Sequence, residues 1–230
     1  MKRMKRYSIG MAGFFLLFAL QGCQESSPQS TQTPTTPDKP QAAESPVTQE
    51  KPQEASQPDA TDEPAGPPKI RLVTNKGNII IELNPDKAPI TVENFLTYVN
   101  DGFFDGTVFH RVIPGFMIQG GGMTDQLVRK PTRAPIRNEA GNGLLNQRGT
   151  ISMARTNNPD SATSQFFINV NDNVSLDYRG AASPGYAVFG QVVEGMDVAD
   201  AIVSAPTKSV GGHRNVPVVP IYIEKAEIIE

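Results

Sequence analysis

Hydrophobic and polar residues alternate in short runs over most of the chain from residue 69 onward, which is the pattern of half-buried β-strands. Turn-forming residues separate the runs, and an Asn-Lys-Gly turn at residues 75–77 joins the first two. Helical spacing is confined to a segment between a predicted N-cap at Thr91 and Gly102, and to a shorter one at Asp197–Val203. The predicted strands are Lys69–Thr74, Asn78–Leu83, Val108–Ile113, Phe116–Gln119, Thr150–Ala154, Gln165–Val170, Tyr186–Val193 and Ile221–Ile229.

These strands and helices predict a mainly β fold. We expect a closed eight-stranded antiparallel barrel capped by two α-helices, because closure removes exposed strand edges. The chain before residue 69 differs: ten of the 20 prolines lie in residues 24–68, which contain no aromatic residue. Such a stretch buries too little apolar surface to offset the entropy of ordering it, so we predict a disordered linker.

The first 22 residues resemble a bacterial lipoprotein signal peptide. Basic residues precede a short apolar run at Met11–Leu20, and residues 20–23 then resemble a lipobox that ends at Cys23, the only cysteine. An ordinary signal peptide with a chance cysteine is the alternative. The predicted organisation is therefore a signal peptide (1–22), a lipidated Cys23 with its linker (23–68) and one folded domain (69–230).

The lipobox resemblance also predicts where the protein resides. A lipid such as palmitate on Cys23 would hold the domain to a membrane of the bacterial cell envelope, outside the cytoplasm. Gln24 follows the cysteine where an aspartate tends to retain lipoproteins at the inner membrane. We therefore expect the periplasmic side of the outer membrane, if the source has one.

Charge and composition exclude several chemistries. The net charge of −3 divides into +4 in the first six residues, −6 in residues 24–68 and −1 in the domain. A near-neutral domain argues against nucleic-acid binding. Two histidines and one cysteine provide no zinc-site pattern, and the motifs of serine hydrolases and phosphate-binding loops are absent from the sequence. We expect no metal and no cofactor.

Two predicted strands place unusual residues on their faces. Alternation along Gln165–Val170 puts Phe167 on a polar face, as part of a binding surface or as a core residue beneath a loop. On Val108–Ile113, Arg111 shares a face with Phe109, where an unpaired charge is costly to bury. Arg111 is therefore a partnered structural residue or a ligand-facing one. His110 is more typical of a satisfied core or turn histidine than of a catalyst.

Residues 109–121, with the sequence FHRVIPGFMIQGG, closely resemble the cyclophilin signature. Residues 149–155, 161–169, 186–190 and 193–197 resemble its later blocks, so the resemblance covers about residues 69–230. It implies the cyclophilin barrel and peptidyl-prolyl cis–trans isomerisation. That reaction crosses an amide rotation barrier of about 18–20 kcal/mol and requires neither a nucleophile nor a metal.

The resemblance also implies residue roles. Arg111 would donate a hydrogen bond to the prolyl nitrogen, and Gln119 would orient Arg111 and bind the substrate backbone. The partners would be proline-containing unfolded or flexible polypeptides, and we expect a monomer. A non-catalytic chaperone module that binds proline peptides at the membrane is the alternative. The implied substrate-binding residues are Phe116, Met117, Ala154, Arg155, Gln165, Phe167, Leu176 and Tyr186.

Three positions depart from the best-known eukaryotic cyclophilins. Ser175 stands where those proteins have a tryptophan that contributes to cyclosporin binding. Tyr186 occupies the position of a histidine, and Arg155 occupies that of an asparagine. These departures concern inhibitor affinity and substrate preference more than catalysis, and Ser175 predicts weak sensitivity to cyclosporin.

Overall fold

Eleven strands and two α-helices form the part of the chain that the computed structural model describes, residues 66–229. The predictions for the signal peptide, Cys23 and most of the linker lie outside the described residues. The strands are β1 (Lys69–Thr74), β2 (Gly77–Leu83), β3 (Thr107–Val108), β4 (Arg111–Ile113), β5 (Met117–Gly120), β6 (Thr150–Met153), β7 (Phe166–Asn169), β8 (Val188–Glu194), β9 (Thr207–Val210), β10 (His213–Pro217) and β11 (Tyr222–Ile229). The helices are α1 (Pro89–Asn100) and α2 (Met196–Val203).

Nine strands form one antiparallel sheet in the order β3-β11-β1-β2-β8-β6-β7-β5-β4, and β9 and β10 form a separate hairpin. The prediction of a mainly β fold with two helices is confirmed. A closed eight-stranded barrel is not shown, because strand pairing within residues 66–229 leaves β3 and β4 as the two ends of the sheet. Only Phe109 and His110 separate those end strands, so the sheet must curl until its edges lie within roughly 10 Å of each other.

The core lies inside this curl and is built around aromatic rings. Phe95 of α1 packs against Phe104, Phe166 and Phe189, with ring centroids 5.0–5.5 Å apart. All four rings are at most 1% exposed. Because aromatic pairs add about 0.5–1.5 kcal/mol each beyond the area they bury, this cluster fixes α1 against the sheet. Neither helix within residues 66–229 has the length and apolarity needed to cross a bilayer.

The prediction of Thr91 as the N-cap of α1 is wrong. The helix begins at Pro89, with Ala88 at the N-cap and no capping bond from its side chain. The carboxylate of Glu139 instead accepts hydrogen bonds from the backbone N–H groups of Ile90 (3.1 Å) and Thr91 (2.8 Å). A residue 48 positions away thus satisfies two free donors of the first turn.

The predicted strand Val108–Ile113 is also wrong, because the chain breaks into β3 and β4 at Phe109 and His110. The ring of Phe109 lies in the core, 6.3 Å from that of Phe166, whereas Arg111 lines a surface cavity. The expectation that Phe109 and Arg111 share a face therefore fails. The hairpin of β9 and β10 was not predicted, since β9 is exposed along its whole length and only the last two residues of β10 are buried, which leaves no apolar alternation.

Candidate active site

One row of directly paired residues crosses four neighbouring strands. Arg111 of β4 pairs with Gln119 of β5, Gln119 pairs with Phe167 of β7, and Phe167 pairs with Ser152 of β6. Directly opposed residues of an antiparallel pair lie on the same face, and adjacent strands are about 4.8 Å apart. The register therefore places a guanidinium, an amide and a phenyl ring side by side.

A chain of side-chain hydrogen bonds holds Arg111 in position. Its Nη1 donates to Oε1 of Gln119 at 3.2 Å, and Nε2 of Gln119 donates to Oε1 of Gln165 at 3.0 Å. Within residues 66–229 no carboxylate oxygen lies within 4 Å of the Arg111 guanidinium nitrogens. The positive charge of Arg111 is therefore not neutralised by an ion pair in the described part of the chain, and it can act on a bound group.

These residues surround a cavity of about 180 Å³. Met117 and Phe167 are only 1% and 4% exposed and form its apolar floor. Gln165 does not line the cavity and instead stands behind it, bonded to Gln119. The lining residues are Arg111, Phe116, Met117, Gln119, Ala154, Arg155, Phe167, Leu176 and Tyr186, which brings together every other predicted site residue of the domain.

Arg155 forms one wall of the cavity. Its Nε and Nη2 donate to the carbonyl of Gly185 at 2.9 and 2.7 Å, and its guanidinium lies 4.3 Å from the ring centroid of Tyr186. The Tyr186 ring meets Phe167 edge-on at 5.7 Å. Arg155 therefore keeps its charge beside the cavity while its geometry is fixed by backbone and ring contacts.

A buried polar network supports the cavity from below, and sequence reasoning missed it. Asn146 Oδ1 accepts hydrogen bonds from Ser152 Oγ (2.8 Å) and Asn169 Nδ2 (3.3 Å). Asn173 donates to Asn169 Oδ1 (2.6 Å) and also to the backbone carbonyl of Phe116 (2.9 Å), a cavity residue. The only sequence signal was the polar position of Asn169 on β7, because the members are scattered along the chain.

The glycine at position 122 has a positioning role that was also missed. A Cβ atom placed there would lie 2.4 Å from Cγ of Gln165, closer than real Cβ contacts allow. Only a glycine therefore permits Gln165 to pack where it can accept the hydrogen bond from Gln119. The preceding residue, Gly121, has a positive φ of 78°, a left-handed conformation that favours glycine.

His110 lies outside the site. It is 5% exposed and lines a separate cavity of about 150 Å³, and burial lowers its pKa to about 4. The prediction of a core histidine is confirmed in its position, but not in its hydrogen bonding, because Nδ1 has no partner within residues 66–229. Burial is the main cause of the lowered pKa and outweighs a backbone hydrogen bond with Val108 that raises it. The nearby charges of His213, Arg111 and Arg129 lower it further.

A larger cavity, of about 580 Å³, lies elsewhere, between the end of β2 and the loop before β6. Its lining mixes Glu82, Asp86 and amides with leucines and prolines, and it includes no arginine or lysine. The cavity lined by Arg111, Gln119 and Phe167 is the better candidate site, because it combines a cationic donor, an amide and a buried apolar floor. The described residues contain no cluster of three or more His, Cys, Asp or Glu that could hold a metal ion.

Comparison with known proteins gives one consistent result. Residues 69–228 match the family model described as cyclophilin type peptidyl-prolyl cis-trans isomerase/CLD. The chain is 58% identical over 161 residues to peptidyl-prolyl cis-trans isomerase A of Dickeya dadantii (strain 3937), covering 70% of this chain and 84% of that protein. It is 52% identical over 159 residues to peptidyl-prolyl cis-trans isomerase B of Escherichia coli (strain K12), covering 68% and 97%.

Solved structures agree with the sequence relatives. A cyclophilin type peptidyl-prolyl cis-trans isomerase of Cryptosporidium parvum superposes with a TM-score of 0.59 at 26% identity, covering 71% of this chain and 98% of that one. The same enzyme crystallised in the presence of the dipeptide Ala-Pro gives the same TM-score and covers 70% and 99%.

Proposed function

The chain belongs to the cyclophilin-type peptidyl-prolyl cis-trans isomerases, and on this premise we propose that Arg111 is the residue that lowers its rotation barrier. In the planar amide the prolyl nitrogen shares its lone pair with the carbonyl, and this conjugation produces the barrier of about 18–20 kcal/mol. In the twisted transition state the lone pair returns to the nitrogen. A guanidinium N–H that donates to this nitrogen stabilises the twisted state selectively, and each ~1.4 kcal/mol gives a tenfold rate increase.

The single observation that carries this proposal is the position of Arg111 next to an apolar floor. Met117 and Phe167 form a buried surface suited to a proline ring, and Arg111 lies two strands from Phe167 along the same row. The bond from Arg111 to Gln119 fixes the guanidinium before substrate arrives, so little reorganisation is needed. Gln119, in this proposal, orients Arg111 and also contacts the substrate backbone.

The substrates are proline-containing peptides. The Cryptosporidium parvum relative was crystallised in the presence of Ala-Pro, which supports an Ala-Pro segment as a suitable test substrate here. Arg155 and Tyr186, with Ala154, form the wall along which the residues before proline would lie. The remaining substrate contacts in this proposal come from Phe116 and Leu176.

The cellular role is a separate proposal that the sequence before residue 66 supports. The lipobox resemblance at Cys23 suggests a monomeric isomerase held at the membrane and acting on cell-envelope proteins as they fold. Cys23→Ser should abolish palmitate labelling and release the protein from membranes. Labelling that survives this substitution would contradict the proposed anchor.

Catalysis is tested by isomerisation of an Ala-Pro test peptide by the full chain. Arg111→Ala should lower kcat/KM by about 100-fold, the typical loss when one electrostatic donor to a transition state is removed. Arg137→Ala is the matched control, because Arg137 is exposed and does not line the cavity. Equal activity of Arg111→Ala and the parent would refute the role of Arg111. A parent that binds the peptide without turnover would instead support the chaperone alternative.

A further inference from the structure

We infer that the proline-rich segment before the domain is an intramolecular substrate of this chain's own active site. This inference rests on the proposed function, because it requires the cavity at Arg111 and Phe167 to act on X-Pro bonds. Residues 24–65 contain eight X-Pro bonds, at Pro28, Pro34, Pro37, Pro40, Pro46, Pro52, Pro58 and Pro64. Any of them that reaches the cavity competes with external substrates.

The sheet register shows how far such a bond must reach. The segment enters the fold at Pro68, whose carbonyl accepts a 2.9 Å hydrogen bond from Leu83 N at the end of β2. Leu83 pairs with Gly190, Gly190 with Ile151 and Ile151 with Ile168, the residue after Phe167. Four strand spacings therefore separate Pro68 from the floor of the cavity, a path of about 19 Å.

Chain length divides the prolines into two groups. A fully extended chain spans at most about 3.5 Å per residue, so Pro64, four residues before Pro68, reaches no further than about 14 Å. Pro58, ten residues before Pro68, reaches about 35 Å by the same measure. For each of the seven prolines from Pro28 to Pro58, the chain between that proline and Pro68 is thus long enough for its X-Pro bond to reach the cavity. The chain between Pro64 and Pro68 is too short.

Opposite charges on the cavity and on the proline-rich segment also favour binding of the segment in the cavity. The cavity is lined by Arg111 and Arg155 and by no carboxylate of the described chain. Residues 24–65 carry eight acidic and two basic side chains, a net charge of −6. Opposite charges attract the segment toward the cavity, and this attraction weakens as added salt screens it.

The expected rate follows from the effective concentration of a tethered ligand. Tethering supplies roughly 1 mM, and with kcat/KM of about 10⁴ M⁻¹s⁻¹, the low end for enzymes, isomerisation proceeds at roughly 10 s⁻¹. The uncatalysed reaction takes on the order of 100 s, so acceleration is about 10³-fold. A site with a dissociation constant near 1 mM would then be about half occupied, which doubles the apparent KM for an external peptide.

The test measures cis–trans exchange of the segment's own prolines by NMR in the full chain, held in detergent. We expect the bonds of Pro28–Pro58 to exchange about 100-fold faster than in Arg111→Ala, which matches the loss of kcat/KM proposed for that variant. Pro64 should show much less acceleration. An excess of Ala-Pro test peptide should slow the exchange in the parent, a control that does not depend on the folding of a variant. Replacing the seven prolines by alanine should lower the apparent KM for the test peptide about twofold without changing kcat.

Two controls distinguish this inference from exchange between molecules and from failure of the proposed function. Isotope-labelled Arg111→Ala chain mixed with unlabelled parent measures exchange between molecules. The intramolecular route is refuted if this exchange is as fast as that of labelled parent at the same total protein concentration, and supported if the labelled parent exchanges faster and at a rate that does not change on dilution. If the parent isomerises the test peptide while Pro28–Pro58 exchange at the uncatalysed rate, the inference fails and the proposed function stands. If the parent isomerises neither, the proposed function itself fails.

Discussion

Lowering the pH from 7 to 4.5 should destabilise the domain through one buried side chain, His110. This side chain is 5% exposed, and its Nδ1 has no hydrogen-bond partner among the described residues. Burial lowers its pKa from 6.5 to about 4, because the charged imidazolium loses its hydration there; the positive charges of His213, Arg111 and Arg129 add a smaller lowering. The perturbation is therefore protonation of a group that the fold keeps neutral.

The sign follows from proton linkage. Between pH 6.5 and about 4 the unfolded chain binds a proton at His110 that the folded chain does not, so stability falls as the pH falls. This loss is absent well above pH 6.5 and complete below about pH 4. From pH 7 to 4.5 it amounts to about 2 kcal/mol of unfolding free energy, since one pKa unit corresponds to ~1.4 kcal/mol.

Urea unfolding of the parent at several pH values measures this loss, and His110→Gln removes the titrating group. Carboxylates also titrate near pH 4, so the informative quantity is the difference between parent and variant in the change from pH 7 to 4.5. We expect the variant to lose about 2 kcal/mol less than the parent. His213→Asn, at the other histidine, serves as the control. The charge of His213 contributes less than burial to the lowered pKa of His110, so this variant should retain most of the parental loss of unfolding free energy from pH 7 to 4.5. If the unfolding free energies of the parent and of His110→Gln fall by the same amount from pH 7 to 4.5, the reasoning is refuted.

Three further perturbations test other parts of the structure. Gly122→Ala should push the Gln165 side chain away from Gln119 and reduce kcat/KM about fivefold, for a loss of about 1 kcal/mol; unchanged kinetics would show that Gln165 has no positioning role. Glu139→Ala should lower the unfolding free energy by about 1–2 kcal/mol, since the first-turn donors of α1 lose their acceptor, and a smaller loss in urea unfolding would contradict this. Cyclosporin should inhibit isomerisation only weakly because Ser175 offers no indole, and nanomolar inhibition would contradict this prediction.

Local pattern was a good guide to strands that lie in the regular part of the sheet. The alternation of Gln165–Val170 correctly separated Phe166 and Ile168, which lie in the core, from Phe167, which faces the cavity. It failed at Phe109 and His110, where the chain leaves one sheet edge to form the other. Period-two reasoning assumes a continuous strand, and Phe109 and His110 lie between β3 and β4, outside any regular strand, so alternation does not fix which way their side chains point relative to Arg111.

Helix boundaries and polar support were beyond local reasoning for a different reason. Thr91 had the residue type of an N-cap, but a carboxylate from a distant loop takes that role. The network of Asn146, Asn169 and Asn173 likewise depends on residues far apart in the chain. Their pairing is a consequence of burial, which forces each polar group to find whatever partner the fold brings near.

The sequence by itself determined the strand-rich character of the domain, the division from the proline-rich segment and the family to which the chain belongs. It could do so because alternation, composition and the signature at residues 109–121 are local properties. Only the tertiary structure decided that Arg111, Gln119 and Phe167 form one row, that Gln165 stands behind the cavity, and that Glu139 caps α1. Hydrogen-bond register between strands and the partners of buried polar groups depend on contacts between distant segments, and no local periodicity carries that information.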